Sequence, residues 1–185
     1  MGCAWRPEAL KQLDEFLSML GGLPKVAVLG NWEYWSGIDL QALRSLYEGK
    51  HGVKLLVNAE ATYRFGSRTI SMMGVDDFTA GRPEISTTTP PGEELRLIVQ
   101  HSPGWFESKQ VVGRNKLASL CLSGHTHGGQ VTFLGKVLWT PRGSGRFTGG
   151  LYELPMCPLY VSRGVGTSIL PFRLGARPEI VLFLL

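Results

Sequence analysis

The chain has 185 residues, which is enough for one compact domain with a sizeable buried core. Apolar residues make up 43% and charged residues 18%, and this composition excludes an intrinsically disordered chain. The formal charge of +4 comes from scattered side chains without a run of like charge, so it predicts no nucleic-acid binding and only slightly favours anionic substrates.

The N-terminal half alternates between predicted helices and strands. Residues 6–22 place Leu10, Leu13 and Leu17 at helical spacing and end in two glycines, which predicts an amphipathic helix. A second helix is predicted over residues 39–52, which also end in glycine. Runs of β-branched and other apolar residues predict strands over residues 25–30, 53–58, 62–75 and 94–101.

The C-terminal half is richer in strands. A short helix is predicted within residues 102–116, and a buried strand over residues 117–124. Further strands, separated by Gly and Pro turns, are predicted over residues 130–140, 149–154, 158–164 and 178–185. Alternating helices and strands followed by a strand-rich half predict an α/β fold, a sandwich with mixed sheets.

The cysteines and the apolar segments bear on location. Cys3, Cys121 and Cys157 are odd in number and far apart, so they are interpreted as ordinary thiols in a reducing compartment. The sequence contains no signal-type segment and no apolar run near the ~20 residues that span a bilayer. We therefore expect a cytoplasmic protein, either free or associated with the cytoplasmic side of a membrane.

Three of the predicted buried strands end in side chains that bind metal ions. Asn31 follows the first strand, His101 ends the fourth, and His125 and His127 follow the fifth. In open α/β sheets, functional sites gather beyond the carboxyl ends of the strands. We therefore predict a metal site formed by these four side chains.

The histidine pair and its neighbours support this interpretation. In an extended backbone, a separation of one residue points the imidazoles of His125 and His127 to the same side. Gly124, Gly128 and Gly129 leave the backbone free to approach an ion. An amide oxygen with neutral imidazoles suits Zn, Mn or Fe, whereas Mg and Ca prefer carboxylates.

Structural roles are the alternatives for the same residue types. A single histidine or asparagine at a strand end is more often structural than functional. Trp32, Tyr34 and Trp35 fit either simple packing or the lining of a pocket for an apolar leaving group. His51 lies near the end of the second predicted helix and is expected to be a solvated cation.

The motifs LGN-x-E, VQHSP and GHTHGGQ occur in this order at residues 29–33, 99–103 and 124–130. Together with the C-terminal segment 159–185, they resemble the calcineurin-like metallophosphoesterase superfamily. Within it, the chain is most similar to the bacterial branch of membrane-associated phosphodiesterases and UDP-diacylglucosamine hydrolases. The resemblance implies a two-sheet αββα sandwich, with residues 1–185 as a single, partial phosphoesterase domain.

The resemblance also implies a reaction, which is hydrolysis of a phosphomonoester or phosphodiester by two divalent transition metals (Mn, Zn or Fe) that activate water. By position, Asn31, His101 and His125 would hold the second metal and His127 the first. The implied partner is a phosphorylated small molecule or phospholipid-type substrate, with peripheral membrane association and without nucleic acid. For Arg163, a surface or structural role is favoured over contact with the substrate phosphate.

Two departures from the family pattern affect this chemistry. The Asp-x-His and Gly-Asp strands that open the family pattern have no counterpart here. We therefore expect an N-terminally incomplete domain in which three metal ligands are missing. Such a chain would bind two metals, one metal or none. Trp32 replaces a histidine that protonates the leaving group, and an indole has no basic nitrogen. Activity in this chain is therefore doubtful, and no catalytic residue is assigned. The alternatives are a degenerate, non-catalytic member that binds a metal or a phosphorylated ligand, and a structural zinc site.

Overall fold

The computed structural model describes residues 7–85, 95–169 and 171–184. The helices are α1 (Pro7–Ser18), α2 (Asn31–Trp35) and α3 (Leu40–Arg44), which continues as a π-helical segment at Ser45–Lys50. Short 3-10 helices lie at Pro103–Glu107 and His127–Gly129. The strands are β1 (Lys25–Ala27), β2 (Val53–Leu55), β3 (Ala59–Phe65), β4 (Arg68–Val75), β5 (Leu95–Gln100), β6 (Leu120–Ser123), β7 (Thr132–Phe133), β8 (Lys136–Val137), β9 (Gly150–Glu153) and β10 (Pro158–Val161).

The largest sheet has six strands in the order β3-β4-β5-β6-β10-β9. Its inner strands β4, β5, β6 and β10 are parallel, and the outer strands β3 and β9 are antiparallel to their neighbours. The register pairs Val75 with Gln100, and Val99 with Leu122. The segments that follow β4, β5 and β6 therefore emerge at the same edge of the sheet, where functional sites of α/β folds form.

A second, two-stranded sheet pairs β1 with β2 in parallel. The helices α1, α2 and α3 contribute to its core, in which Leu29, Leu43 and Leu55 are buried. Alternate burial in β2 fits a sheet that packs on one face, since neighbouring side chains of a strand point to opposite faces. The chain leaves β1 through Leu29 and enters α2 directly, which fixes the position of Asn31.

The core of the six-stranded sheet contains a disulfide. Cys121 lies on β6, Cys157 immediately precedes β10, and the two residues are bonded with a Cα–Cα distance of 6.0 Å. The interpretation of Cys121 and Cys157 as ordinary thiols is therefore wrong. The parallel pairing of β6 with β10 brings them together across a sequence separation of 36 residues, which their spacing along the chain does not indicate.

The α/β fold with mixed sheets is confirmed, and most predicted elements are present. The strand predicted at 178–185 is wrong, because residues 178–184 are irregular. They keep the alternation of a strand, since Phe183 packs on Tyr160 while Leu182 is exposed, but they pair with no strand in the described chain. Cys3, also interpreted as an ordinary thiol, lies outside the described residues. Within the described ranges, no helix is long and apolar enough to cross a bilayer.

Candidate metal centre

Asn31, His101 and His125 come from three separate elements and meet at the carboxyl edge of the six-stranded sheet. Asn31 is the first residue of α2, whereas His101 and His125 follow β5 and β6. The Oδ1 atom of Asn31 lies 3.1 Å from Nε2 of His101 and 3.1 Å from Nδ1 of His125. The two ring nitrogens are 3.2 Å apart. Three polar atoms therefore form a nearly equilateral triangle.

Local structure at the start of α2 places the asparagine. Gly30 is the N-cap, and its backbone N–H donates to a carboxylate oxygen of Glu33 at 2.9 Å. The ring of His101 lies directly against Gly30, because a Cβ atom at this position would stand 2.8 Å from Nε2 of His101. A glycine is thus required by the close approach of the imidazole, and not by its own backbone conformation.

The hydrogen bonds of His125 determine which of its nitrogens carries the proton. Its Nε2 lies 2.9 Å from the backbone carbonyl oxygen of Arg142, and a carbonyl can only accept, so Nε2 is the donor. A neutral His125 then directs a lone pair from Nδ1 towards Asn31. A histidine that binds a metal usually donates its other N–H to a carbonyl or carboxylate in this way.

Burial keeps these imidazoles neutral, which is the form that binds metals. Burial lowers the pKa of His101 to about 4, and the neighbouring His125 contributes to this shift. Burial also lowers the pKa of His125, against the opposing effects of the Arg142 carbonyl and the Asp77 carboxylate. At neutral pH both rings are therefore neutral, and each has one unprotonated nitrogen that can bind a metal.

The three atoms fit a divalent transition metal. Ligand atoms about 2.1 Å from one ion are about 3.0 Å apart at right angles and about 3.4 Å apart in a tetrahedron, and the observed separations fall in this interval. A neutral His125 directs its Nδ1 lone pair at Asn31 Oδ1, itself an acceptor, and a cation would satisfy both atoms. The third ligand is an amide: among the described residues, no three His, Cys, Asp or Glu side chains form a group that could hold a metal.

Two buried aspartates that the sequence reasoning missed lie behind this triangle. Asp76 and Asp77 follow β4, and Asp77 is completely buried. The carboxylate of Asp77 accepts from the hydroxyl of Ser102, at 2.6 Å, and from Thr79 and Ala80. The signal that identified His101, a polar residue directly after a buried strand, also applies to this pair.

His127 lies beside the triangle and does not join it. Its Nδ1 lies 3.3 Å from the carbonyl oxygen of Gly166 and 3.4 Å from the guanidinium of Arg173. Burial lowers the pKa of His127, and Arg173 and His125 lower it further. The guanidinium of Arg173 also donates to the backbone carbonyls of Arg163 and Gly166, so it orders this loop.

The backbone explains why the two histidines face different partners. His125 and His127 have φ angles of +68° and +52°, so the extended backbone that would point both rings to the same side is not present here. Gly128 and Gly129 continue this left-handed path, with φ angles of +63° and +77°. Such conformations are strained in residues other than glycine, and they concentrate at functional sites.

The aromatic side chains of α2 have two different roles. Trp32 and Trp35 form an edge-to-face pair with ring centroids 5.8 Å apart, and Trp35 is exposed. Tyr34 instead points inwards and donates its hydroxyl to Asp76. Its burial and this carboxylate raise the pKa of Tyr34 above its ordinary value. Tyr34 therefore ties α2, and with it Asn31, to the end of β4.

His51 and Arg163 each form an ion pair or hydrogen bond with a carboxylate. His51 is not a solvated cation, because its side chain is largely buried and its Nε2 lies 2.6 Å from a carboxylate oxygen of Asp14. The guanidinium of Arg163 lies 3.2 Å from the carboxylate of Glu179. This ion pair agrees with the surface or structural role favoured for Arg163.

Known proteins are similar in sequence to this chain over most of its length. The chain is 32% identical to the uncharacterized metallophosphoesterase YkuE of Bacillus subtilis, over 87% of this chain and 56% of the relative. It is 31% identical to phosphodiesterase YaeI of Escherichia coli, over 86% of this chain and 57% of the relative. An uncharacterized metallophosphoesterase of Aquifex aeolicus is 32% identical, over 94% of this chain and 66% of its own length. The chain belongs to the calcineurin-like metallophosphoesterase superfamily.

Membership of this superfamily is carried by these sequence matches. The chain matches no family model, and no solved structure is significantly similar to it. It spans about three fifths of the length of the curated relatives YkuE and YaeI. Membership of this superfamily implies divalent metals. Among the described residues, Asn31, His101 and His125 form the group whose atoms suit a divalent metal.

Proposed function

We propose that this protein is a metal-dependent phosphoesterase that hydrolyses a phosphomonoester or phosphodiester at the edge of its six-stranded sheet. The observation that carries the proposal is the triangle of Asn31, His101 and His125, whose edges of 3.1, 3.1 and 3.2 Å suit the ligands of one transition metal. We further propose that residues 1–185 belong to one phosphoesterase domain, with Mn, Zn or Fe as its metals.

In this proposal the side chains have distinct tasks. Asn31, His101 and His125 hold the metal, and the Arg142 carbonyl fixes the orientation of the His125 ring. When bound, a divalent ion lowers the pKa of a coordinated water and neutralises charge on the phosphoryl oxygens. His127, placed beside the triangle and kept neutral by burial, is the candidate ligand of a second metal.

The side chain of Trp32 determines which leaving groups this enzyme is expected to release most readily. The indole N–H is a weak donor with no basic nitrogen, so position 32 supplies no proton to a departing alkoxide. Esters of acidic phenols or phosphoric anhydrides, which leave without a proton, should therefore react faster than alkyl esters. The same residue favours the second candidate function, a non-catalytic member that binds a metal or a phosphorylated ligand.

The test is hydrolysis of bis(4-nitrophenyl) phosphate by purified protein with Mn²⁺, Zn²⁺ or Fe²⁺. The proposal expects a weak rate above that of the metal alone, which is lost on chelation and in His125→Ala. His51→Gln is the matched control, because His51 pairs with Asp14 away from the triangle, and it should keep the rate. Stoichiometric metal binding without any hydrolysis would favour the non-catalytic candidate.

A further inference from the structure

A cluster of exposed apolar side chains surrounds the hairpin that follows the histidine loop. Strands β7 and β8 pair as Thr132 with Val137 and Phe133 with Lys136, which leaves a two-residue turn. The cluster consists of large side chains that are 62–86% exposed: Phe133, Leu134, Leu138, Trp139 and Ile169. We call these five residues the apolar rim. An exposed group of this kind marks an interaction surface more often than scattered single residues do.

Leu134 lies at a turn position whose backbone conformation is unfavourable for leucine. Leu134 and Gly135 form the turn with φ angles of +48° and +75°. Two-residue turns with positive φ at both positions prefer Asn-Gly or Asp-Gly, because other side chains are strained there. Leu134 is nevertheless 86% exposed. A leucine that is both strained and exposed to solvent is better explained by a contact outside the chain.

Charge distribution indicates what this surface meets. Residues 131–145, which include four of the five rim residues, contain two Lys and Arg side chains and no acidic residue. These cations, Lys136 and Arg142, are exposed and lie beside the rim residues along the chain. The neighbouring Arg146 pairs with Glu107. A second copy of this chain would bring the same positive charge against itself, and like charges across an interface are unfavourable.

The apolar rim is continuous with a pocket that reaches the candidate site. Leu138, Trp139 and Ile169 line a pocket of about 410 Å³, and His127 lies in its wall. A surface that combines exposed apolar side chains, an indole and flanking cations has the properties of segments that settle at the interface of an anionic bilayer. Nucleic acid would match the cations and leave the apolar side chains exposed to water.

We propose that the β7–β8 hairpin docks on an anionic lipid surface. Phe133 and Leu134 enter the acyl boundary, Trp139 lies at the headgroup level, and Lys136 and Arg142 contact lipid phosphates. In this position the pocket beside His127 opens towards the bilayer. The proposal goes beyond phosphoester hydrolysis, because it requires neither a bound metal nor turnover.

The experiment is sedimentation of the metal-free protein with vesicles of phosphatidylglycerol and phosphatidylcholine, compared with vesicles of phosphatidylcholine alone. The wild type should bind the anionic vesicles, and less so at high salt. Leu134→Asn should weaken this binding roughly tenfold, the effect of removing one large apolar side chain from the acyl region. The same substitution should raise the melting temperature, because asparagine tolerates the left-handed turn better than leucine.

Leu23→Asn is the matched control, since Leu23 is 75% exposed and precedes β1 rather than lying on the apolar rim. It should leave vesicle binding unchanged. The proposal is overturned if the wild type ignores anionic vesicles, if it forms a dimer whose contact buries the rim, or if Leu134→Asn binds as the wild type does. Loss of binding with a lower melting temperature would also overturn it, because that result indicates a structural role for Leu134.

Discussion

Asn31 presents a single oxygen to two imidazoles, and the geometry at this residue depends on its neighbour Gly30. The cap at Gly30 fixes the first turn of α2, and the absence of a side chain there lets the ring of His101 approach. The positions of Asn31 and His101 therefore depend on a residue that is not itself a candidate metal ligand. Substitutions beside the triangle should be as informative as substitutions within it.

Gly30→Ala should disrupt the triangle without unfolding the helix. Gly30 has extended backbone angles that alanine can adopt, but the new Cβ would lie 2.8 Å from the His101 ring. Overpacking of this kind costs about 1–3 kcal/mol, and displacing the ring should weaken metal binding at least roughly tenfold. Calorimetric metal titration and thermal unfolding measure the two effects.

Gly124→Ala is the control for this substitution, because no described atom beyond its own chain neighbours lies within 4 Å of the place that its new Cβ would take. It should leave both metal affinity and melting temperature close to those of the wild type. A loss in Gly124→Ala as large as that in Gly30→Ala would contradict the packing argument.

Trp32→His tests the role proposed for position 32. A histidine there could protonate a departing alkoxide, so hydrolysis of an alkyl phosphodiester should rise by about 10²–10⁴. Hydrolysis of bis(4-nitrophenyl) phosphate should change little, because nitrophenolate leaves without a proton. The measurement is kcat/KM for both esters with the same metal. An equal increase for both esters would show that position 32 acts through binding or packing.

Among the elements of the fold, parallel strands that end at one edge create the site. His101 and His125 were identifiable because each follows a buried strand, and the parallel pairing of β5 with β6 brings such residues together. The sequence does not encode so directly how β1 and β2, in a separate sheet, carry Asn31 to the same point. Nor does it reveal the Cys121–Cys157 disulfide, because that contact depends on the pairing of two strands that are distant in the chain.

Among the residues that follow these strands, Asp77 should contribute most to the stability of the fold. Its carboxylate accepts four hydrogen bonds, three from Thr79 and Ala80 in its own loop and one from Ser102 beside His101. Asp77→Asn replaces one acceptor by a donor and leaves buried donor groups unmatched, so the free energy of unfolding should fall by roughly 2–4 kcal/mol. Ser102→Ala removes one of the four bonds and should cost about 1 kcal/mol. Urea unfolding measures the free energy of unfolding of both variants. Equal losses in the two variants would contradict the larger contribution expected of the Asp77 carboxylate.

For the molecule as a whole, the buried histidines make folding sensitive to acid. Burial lowers the pKa of His101 to about 4 and also lowers the pKa of His125 and His127. In the unfolded chain these rings bind protons at a pKa of about 6.5. Well above about pH 6.5 both states are neutral and the histidines contribute no pH dependence. Below it the unfolded chain takes up protons first, so stability is lost as the pH falls towards 4.

The metal-free protein should therefore lose roughly 2–4 kcal/mol of stability between about pH 6.5 and about pH 4 through His101 alone. Urea unfolding in the presence of a chelator measures the profile. Carboxylates titrate over the lower part of this range, so the informative quantity is the difference from His101→Gln, which should lose less. A profile identical in wild type and His101→Gln would mean that His101 is not buried as a neutral ring.

Whether Asn31, His101 and His125 hold one divalent transition metal can be decided by calorimetric titration of the metal-free protein with Mn²⁺ and Zn²⁺. We expect stoichiometric binding that is lost in His125→Ala, kept in His51→Gln, and kept in Asn31→Asp, because a carboxylate oxygen can replace the amide oxygen as a ligand. In the contrary arrangement, the Asn31 amide donates its N–H groups to both rings and no metal is needed. The wild type would then bind no metal and Asn31→Asp would only destabilise the fold, and that result would rule out the proposed metal centre.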